Sequence, residues 1–275
     1  MKENQVEIQP FSKKTVQIFN NIEYQVTKVI PFYSHTKKEP YEEEDEKLGI
    51  SNPGRRVFSN LFPSKLNIKS KFFPSIYEEE QKEQIVFHDF LLENEVPSVE
   101  NFFQSTKSLL EADARFIALH LNPSKAAGYG QGRYSLSTKE KNQLIQLGVN
   151  PSDFVVSKKK RVIRSKTGYP PRIENWDHKK IYVMLAGLRL KFKEPNSEFR
   201  YIMDTLIQTK ENFLFIEHTK NDKQWADGLY GNGTNFLGKL LTQIFLEIRN
   251  ETEYKVDKEF LLKPNKEFVE YKTNF

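Results

Sequence analysis

Pro97-Ser98-Val99-Glu100-Asn101-Phe102-Phe103-Gln104-Ser105-Thr106-Lys107 is the stretch from which the rest of the chain can be read. Pro97 cannot continue a preceding helix, and Ser98 offers a hydroxyl to the free N–H groups of a first helical turn. Val99, Phe102, Phe103, Thr106, Leu109 and Leu110 then recur at spacings of three and four, which predicts a helix with one buried stripe. Glu100, Gln104, Lys107 and Glu111 fall on a different face of that helix. Read from periodicity alone, this second face is solvated and carries no chemistry.

Outward from that helix, the same spacing predicts further helices over residues 113–121, 139–148, 177–193, 197–209 and 235–248. Ser124 to Gly128 reads as a short turn. Phe213-Leu214-Phe215-Ile216-Glu217 is a short apolar run of strand length, and residues 15–33 alternate as strands do. Residues 34–54 read as a polar loop whose acidic run, Glu42 to Glu46, is solvated. Phe58 to Phe62 reads as a strand or turn closed by Pro63, and Ile68 to Phe73 as another strand. Several helices with a few short strands, and no alternation of strand and helix, give an α+β class.

Bulk composition sets limits. Only 37% of the 275 residues are hydrophobic and 29% are charged, yet 22 Phe and 12 Tyr supply enough ring area for a core. With no cysteine, disulfides, zinc-thiolate sites and thiol nucleophiles are excluded. His35, His88, His120, His178 and His218 show no ligand spacing, so neither a metal nor another cofactor is expected. No apolar run follows the start, and none approaches the ~20 residues of a bilayer span, so a cytoplasmic protein with no membrane partner is expected. The net charge of +5 is uneven: Lys158, Lys159, Lys160, Arg161, Arg164 and Lys166 fall close together with no acid among them, and Arg172 follows. Such a patch can neutralise nucleic-acid phosphates. From charge alone a solvated loop is the commoner reading.

Two glycine loops invite a phosphate. Gly128-Tyr129-Gly130-Gln131-Gly132 lacks the third glycine of a dinucleotide fingerprint and reads as a flexible turn. Gly228-Leu229-Tyr230-Gly231-Asn232-Gly233 precedes a helix start near Asn235, and free N–H groups there would favour an anion. Asp222 and Asp227 read on their own as turn residues. Trp176 and Trp225 have charged neighbours, which is compatible with stacking on a base and equally with a helix-supplied core.

Taken in order, these blocks resemble the NADAR superfamily of YbiA-like proteins. Ile30-Pro31-Phe32-Tyr33 matches the opening strand, and Phe58-Ser59-Asn60-Leu61-Phe62-Pro63 matches the family's Phe-Ser-Asn-Phe-Tyr-Pro. Pro97, Ser98, Glu100, Phe103, Gln104 and Lys107 meet Pro-Thr-x-Glu-x-x-Phe-Gln-x-x-Lys. Trp176, Val183-Met184, Lys191-Phe192, Asn196, Glu217, Asp222-x-x-Trp225-x-x-Gly228 and Asn235-x-Leu237-Gly238 follow in the family's order. Ala226 replaces the first glycine of Asp-x-x-Trp-Gly-x-Gly, and residues 74–95 and 125–175 are longer than in compact members.

The resemblance implies one predominantly helical domain over residues 29–249 with insertions near 74–95 and 125–175. Residues 1–28 would be an N-terminal extension and 250–275 a C-terminal appendage packed by Phe260, Leu261 and Phe268. It implies an N-glycosidase, since family members cleave bonds between ribose and a base. Glu100 would stabilise an oxocarbenium ion or activate water, Asp222 would be the second carboxyl, and Lys107 would bind phosphate or attack as a Schiff-base amine. Phe58, Ser59, Asn60, Gln104, Trp176, Trp225, Gly228 and Asn235 would line the substrate. The partner would be ADP-ribosylated nucleic acid or a phosphorylated riboside, with Lys158, Lys159, Lys160 and Arg161 on the nucleic acid. A riboflavin-pathway pyrimidine riboside, or binding without turnover, are the other readings.

Overall fold

The structure, a computed structural model, describes residues 6–19, 21–33, 45–46, 48, 54–69, 87–156, 162–164 and 170–273. Its strands are β1 (Val6–Pro10), β2 (Thr15–Ile18), β3 (Ile22–Gln25), β4 (Lys28–Phe32), β5 (Val155–Val156), β6 (Val162–Ile163), β7 (Phe213–Glu217) and β8 (Val269–Thr273). Its helices are α1 (Asp89–Glu93), α2 (Val99–Lys107), α3 (Glu111–His120), α4 (Pro123–Gly130), α5 (Thr138–Gln146), α6 (Trp176–Phe192), α7 (Glu198–Gln208), α8 (Phe236–Arg249) and α9 (Lys258–Leu262). This is the α+β class expected from the patterning. The chain divides into two compact units, residues 1–59 with 192–275, and residues 60–191.

In the first unit β4 and β7 pair in parallel, with Val29 opposite Leu214 and Phe32 opposite Glu217. Every residue of β7 is buried, which is why its sequence is an unbroken apolar run and does not alternate. Phe213 and Phe215 meet Phe245 of α8, while Phe58 packs against Phe32, Phe192 and Phe215. The described ends of the chain meet: β1 pairs antiparallel with β8, Val6 opposite Thr273. Phe260, Leu261 and Phe268 are buried in this unit.

Lys239 is the odd residue of α8, a cation in a helix buried from Phe236 to Ile248. Its ammonium donates to the carbonyls of Phe260 (2.9 Å), Leu261 (3.2 Å) and Lys263 (2.5 Å), which the end of α9 leaves without helical partners. The charge also lies over the rings of Phe260 and Phe268. Lys239 thereby ties residues 258–268 to α8.

In the second unit α2 is held at its N-terminal end by side chains. Ser98 accepts from the Asn101 N–H at 3.0 Å, the cap its position predicted. Asn101 is fully buried, and its amide donates to the carbonyls of Ile117 (2.7 Å) and Leu121 (2.8 Å) at the close of α3. Gly187 of α6 has no side chain because a Cβ there would come within 2.9 Å of Val99 and 3.0 Å of Phe102. Phe116, Ile117, Tyr129, Leu136 and Leu144 form a core cluster joining α3, α4 and α5. Beside it Arg164 makes a paired contact with Asp113 at 2.7 and 2.9 Å, and the Tyr129 hydroxyl donates to the same carboxylate.

Several expectations are corrected. The buried stripe of α2 stops at Lys107: Leu109 and Leu110 are 55% and 39% exposed. Ser108 bridges to Arg172, and the Leu109 N–H donates to the Pro171 carbonyl, so the backbone leaves the helix there. Gly128 and Gly130 belong to α4 and not to a turn, because Asn122 caps that helix and Pro123 starts it. Ile68 lies in a turn; Leu66 bridges to Val96, and residues 70–73 of the expected strand lie outside the described residues. Asp45, expected in a solvated acidic loop, is buried and paired with Arg55. In the basic patch Arg164 is buried in the Asp113 pair, and Lys158, Lys159, Lys160 and Arg161 lie outside the described residues.

Lys239→Met should keep the bulk of the stem but leave three carbonyls without a donor, a loss on the order of 2–4 kcal/mol. Thermal melting checks the loss, and limited proteolysis should release the segment after residue 250 first. An unchanged melting temperature with an unchanged digestion pattern would show that Lys239 ties nothing down.

Candidate active site

Every residue of α2 is buried, including its polar face: Glu100, Gln104 and Lys107 are only 4%, 3% and 9% exposed. The three stand one turn apart, so their side chains line up along a single edge of the helix. What the periodicity made a solvated face is a polar seam inside the second unit. Burying it requires a partner for each polar atom, and the partners come from distant parts of the chain.

The Glu100 carboxylate accepts from Asn60 Nδ2 at 2.5 Å through one oxygen and from Gln104 Nε2 at 2.9 Å through the other. The Glu100 N–H also donates to the Asn60 carbonyl at 2.9 Å, so Asn60 holds both the backbone and the carboxylate. Gln104 then passes the polarity on, accepting from the Lys107 ammonium at 3.4 Å through Oε1. Lys107 donates more strongly, at 2.6 Å, to the carbonyl of Gly130 at the end of α4. A Cβ on Gly130 would lie 1.9 Å from Gln104 Oε1, which accounts for glycine at that position.

Burial dominates the protonation of this seam. It raises the Glu100 pKa to about 7, against the opposing pull of the Gln104 hydrogen bond and the Lys107 charge. Burial likewise lowers Lys107 to about 8, and the neighbouring Arg172 lowers it further, while Glu100 and Asp177 oppose the shift. An acid and a base close to neutrality, two turns apart on one helix edge, can exchange protons with a bound molecule near physiological pH.

Trp176, at the start of α6, belongs to the same unit and is buried edge-on against Phe103, ring centroids 4.9 Å apart. Phe58, Ser59, Asp222, Trp225, Gly228 and Asn235 lie in the other unit. Phe58 is core and Ser59 is fully buried. Asp222 accepts from the N–H groups of Gln224 (2.9 Å) and Trp225 (2.8 Å), an Asx turn, and Trp225 packs edge-on against Phe236. Gly228 has φ +70°, and a Cβ there would lie 2.4 Å from Asn232 Oδ1. Asn235 is fully buried: its amide accepts from the Glu217 N–H and donates to the Phe215 carbonyl and to Asn265.

The glycine loop before α8 is not the open anion site its sequence predicted. The N–H groups of Asn235, Phe236 and Leu237 donate to the carbonyls of Ala226, Gln224 and Trp225. The loop folds back to close the helix start itself. Sequence reading also missed a buried network there: His218 Nδ1 lies 2.6 Å from Asp227 Oδ2, and the Tyr271 hydroxyl and Leu229 N–H donate to the same carboxylate. Tyr271 comes from β8, so only the pairing of the chain ends reveals it.

A model of the NADAR domain matches residues 52–249. The chain belongs to that family. Among similar proteins, the N-glycosidase YbiA of Escherichia coli (strain K12) is 39% identical over 74 residues, 27% of this chain and 43% of that protein. The chloroplastic riboflavin biosynthesis protein PYRR of Zea mays is 31% identical over 108 residues, 38% of this chain and 16% of that one. Its Arabidopsis thaliana counterpart is 32% identical over 90 residues, 32% of this chain and 14% of that one. The matches thus span less than half the length of these relatives. The NMR structure of the E. coli protein YbiA aligns with a TM-score of 0.43 at 22% identity, covering 81% of this chain and 83% of that one. Both NADAR-matched blocks that carry Asn60 and Glu100 fall inside the matched range.

The buried carboxylate has a thermodynamic signature. A folded-state pKa near 7 against 4.5 for a free side chain means that the folded protein binds more protons between those values. Stability contributed by Glu100 therefore falls as pH rises through that window and is constant above it. Glu100→Gln lacks this dependence. Its melting temperature relative to the parent protein should rise by several degrees between pH 5 and pH 8, on the order of 2–3 kcal/mol. A difference that stays flat across that range would place Glu100 in water.

Proposed function

We propose that this NADAR protein is a hydrolase of N-glycosyl bonds, with Glu100 as the carboxyl group that acts at the ribose. The observation that carries this reading is the buried Asn60–Glu100–Gln104–Lys107 seam, in which a carboxylate and an amine titrate close to neutrality. Its similarity to proteins named N-glycosidase YbiA supports it.

Cleavage breaks the C1′–N bond, leaving a cationic ribose while the departing base takes the electron pair and a proton. Water adds at C1′ and gives up a proton, so the products are a free ribose hydroxyl and a protonated base nitrogen. Ionised Glu100 lowers the energy of the cationic ribose and accepts the proton from water. Asn60 and Gln104 fix its two oxygens, so little reorganisation is needed when the charge forms. Protonated Lys107 binds the anionic part of the substrate. Its hydrogen bond to the Gly130 carbonyl and the adjacent Glu100 charge both favour the ammonium form, which speaks for binding over attack on a ring-opened sugar.

The preferred substrate is ADP-ribose on guanine in nucleic acid. A net charge of +5 with a pI near 9.0, and the run Lys158-Lys159-Lys160-Arg161, support a polyanionic partner. The similarity to the riboflavin biosynthesis proteins favours a second reading, a phosphoribosylamino-pyrimidine.

Mass spectrometry of a panel decides between them: ADP-ribosylated guanine in an oligonucleotide, the pyrimidine riboside, and NAD. Release of ADP-ribose from the oligonucleotide, lost by a factor of at least about 10² in Glu100→Gln, is the expected result. Its pH profile should be a bell, rising near pH 7 as Glu100 ionises and falling near pH 8 as Lys107 loses its proton. A rate that keeps climbing above pH 8, with an adduct trapped by borohydride, would make Lys107 the nucleophile. Cleavage of the pyrimidine riboside alone would establish the second reading, and no cleavage of any panel member would overturn the hydrolase assignment.

A further inference from the structure

His218, in the first unit, is the first residue beyond β7, and Tyr33 is the first beyond β4, so both sit at the carboxyl ends of a parallel pair. The His218 N–H donates to the Phe32 carbonyl at 2.9 Å, and its ring meets that of Tyr33 edge-on, centroids 5.5 Å apart. The carboxyl ends of parallel strands are where such sheets hold their ligands. We propose that His218 Nε2 accepts a hydrogen bond from a ribose hydroxyl of the ribosyl substrate, with Asp227 as the residue that positions the ring for it.

The proton positions follow from the network around Asp227. Asn265 accepts from Asn235 at 3.0 Å and donates to the Tyr271 hydroxyl oxygen at 2.6 Å. The hydroxyl's own proton is therefore directed at Asp227 Oδ2, 3.1 Å away. Burial and the Asp227 charge raise the Tyr271 phenol, so it keeps that proton. The Leu229 N–H donates to Oδ1 at 2.8 Å. A carboxylate met by these donors accepts from His218 Nδ1 as well, 2.6 Å away, so Nδ1 carries the proton. In the uncharged ring Nε2 is then a bare lone pair.

A purely structural histidine would have both ring nitrogens met. His218 is 3% exposed and Asp227 is fully buried, yet Nε2 has no hydrogen-bond partner among the described residues. Nor is that nitrogen sealed from solvent. A buried ring that leaves one acceptor open is arranged for a donor that arrives from outside. The ribose is common to the substrates that the N-glycosidase reading allows, and its hydroxyls donate, whereas phosphate oxygens only accept. Naming the ligand as a ribosyl compound rests on that reading; the open acceptor does not.

Long-range ¹H–¹⁵N spectra of the full chain labelled with ¹⁵N-histidine test this, recorded above the titration of the ring. The free protein should show His218 protonated at Nδ1. Its Nε2 resonance should move on adding ADP-ribose or ribose 5-phosphate, which has hydroxyls and no base, and stay still with adenine, which has no sugar. His218→Asn keeps an N–H for Asp227 and removes the outer nitrogen. It should melt as the parent does and bind ADP-ribose about 10-fold more weakly by calorimetry. Asp227→Asn sets an amide against Nδ1 and should move the proton to Nε2, a spectral change that a merely structural loss would not produce. The parent spectrum decides even where a variant fails to fold. A proton on Nε2 in the parent, an Nε2 resonance indifferent to both sugar phosphates or shifted by adenine, or full affinity in His218→Asn would overturn the proposal. His218-dependent binding without turnover would remove the hydrolase reading and keep the subsite. Turnover with a stationary Nε2 resonance would do the reverse.

Discussion

Withdrawal of the Glu100 carboxylate from water is the constraint on which the candidate site depends. A carboxylate at 4% exposure is costly unless its oxygens are met, and here each is met by a side-chain amide. The amide donors stabilise the ionised form, but less than desolvation destabilises it, and the balance leaves the group titrating near neutrality. Fewer donors would leave Glu100 neutral at working pH; more water would return it to an ordinary surface acid. The same balance reaches Lys107 through Gln104, which touches both groups.

Much of the surrounding structure uses polar side chains to close backbone ends. Asn101 takes the last carbonyls of α3, Lys239 those of α9, and the 224–226 carbonyls take the first N–H groups of α8. Their common effect is that helix ends are satisfied inside the protein and not by solvent or a ligand. For α8 this removes an anion site that glycine density had promised. At α2 it does the opposite, since the helix is fixed so firmly that a charged edge can stay buried.

Local features of the fold were legible in the sequence. The Ser98 cap, the 3–4 spacing of α6 and α7 and the apolar run of β7 all rest on residues within a turn or two of one another, and the structure has them there. Burial of the Glu100 edge was not legible, because Asn60 lies 40 residues from Glu100 and Gly130 lies 23 residues from Lys107, and no periodicity links them. Family resemblance, not composition, singled out Glu100 against a solvated-face reading. The same limit hid the Asp227 network, whose Tyr271 is 44 residues distant, and the Arg172 bridge, which depends on where α2 stops. A lysine within an apolar helix, as at Lys239, was a signal for such a long-range partner.

Titration of the Glu100 side chain itself bears most directly on the poised carboxylate. Protein labelled with ¹³C at the glutamate carboxyl carbon, compared with Glu100→Gln to assign the resonance, reports its ionisation without any substrate. A midpoint close to 7 is expected. A midpoint at the ordinary glutamate value of about 4.3 would contradict a buried, neutrality-tuned acid at this position.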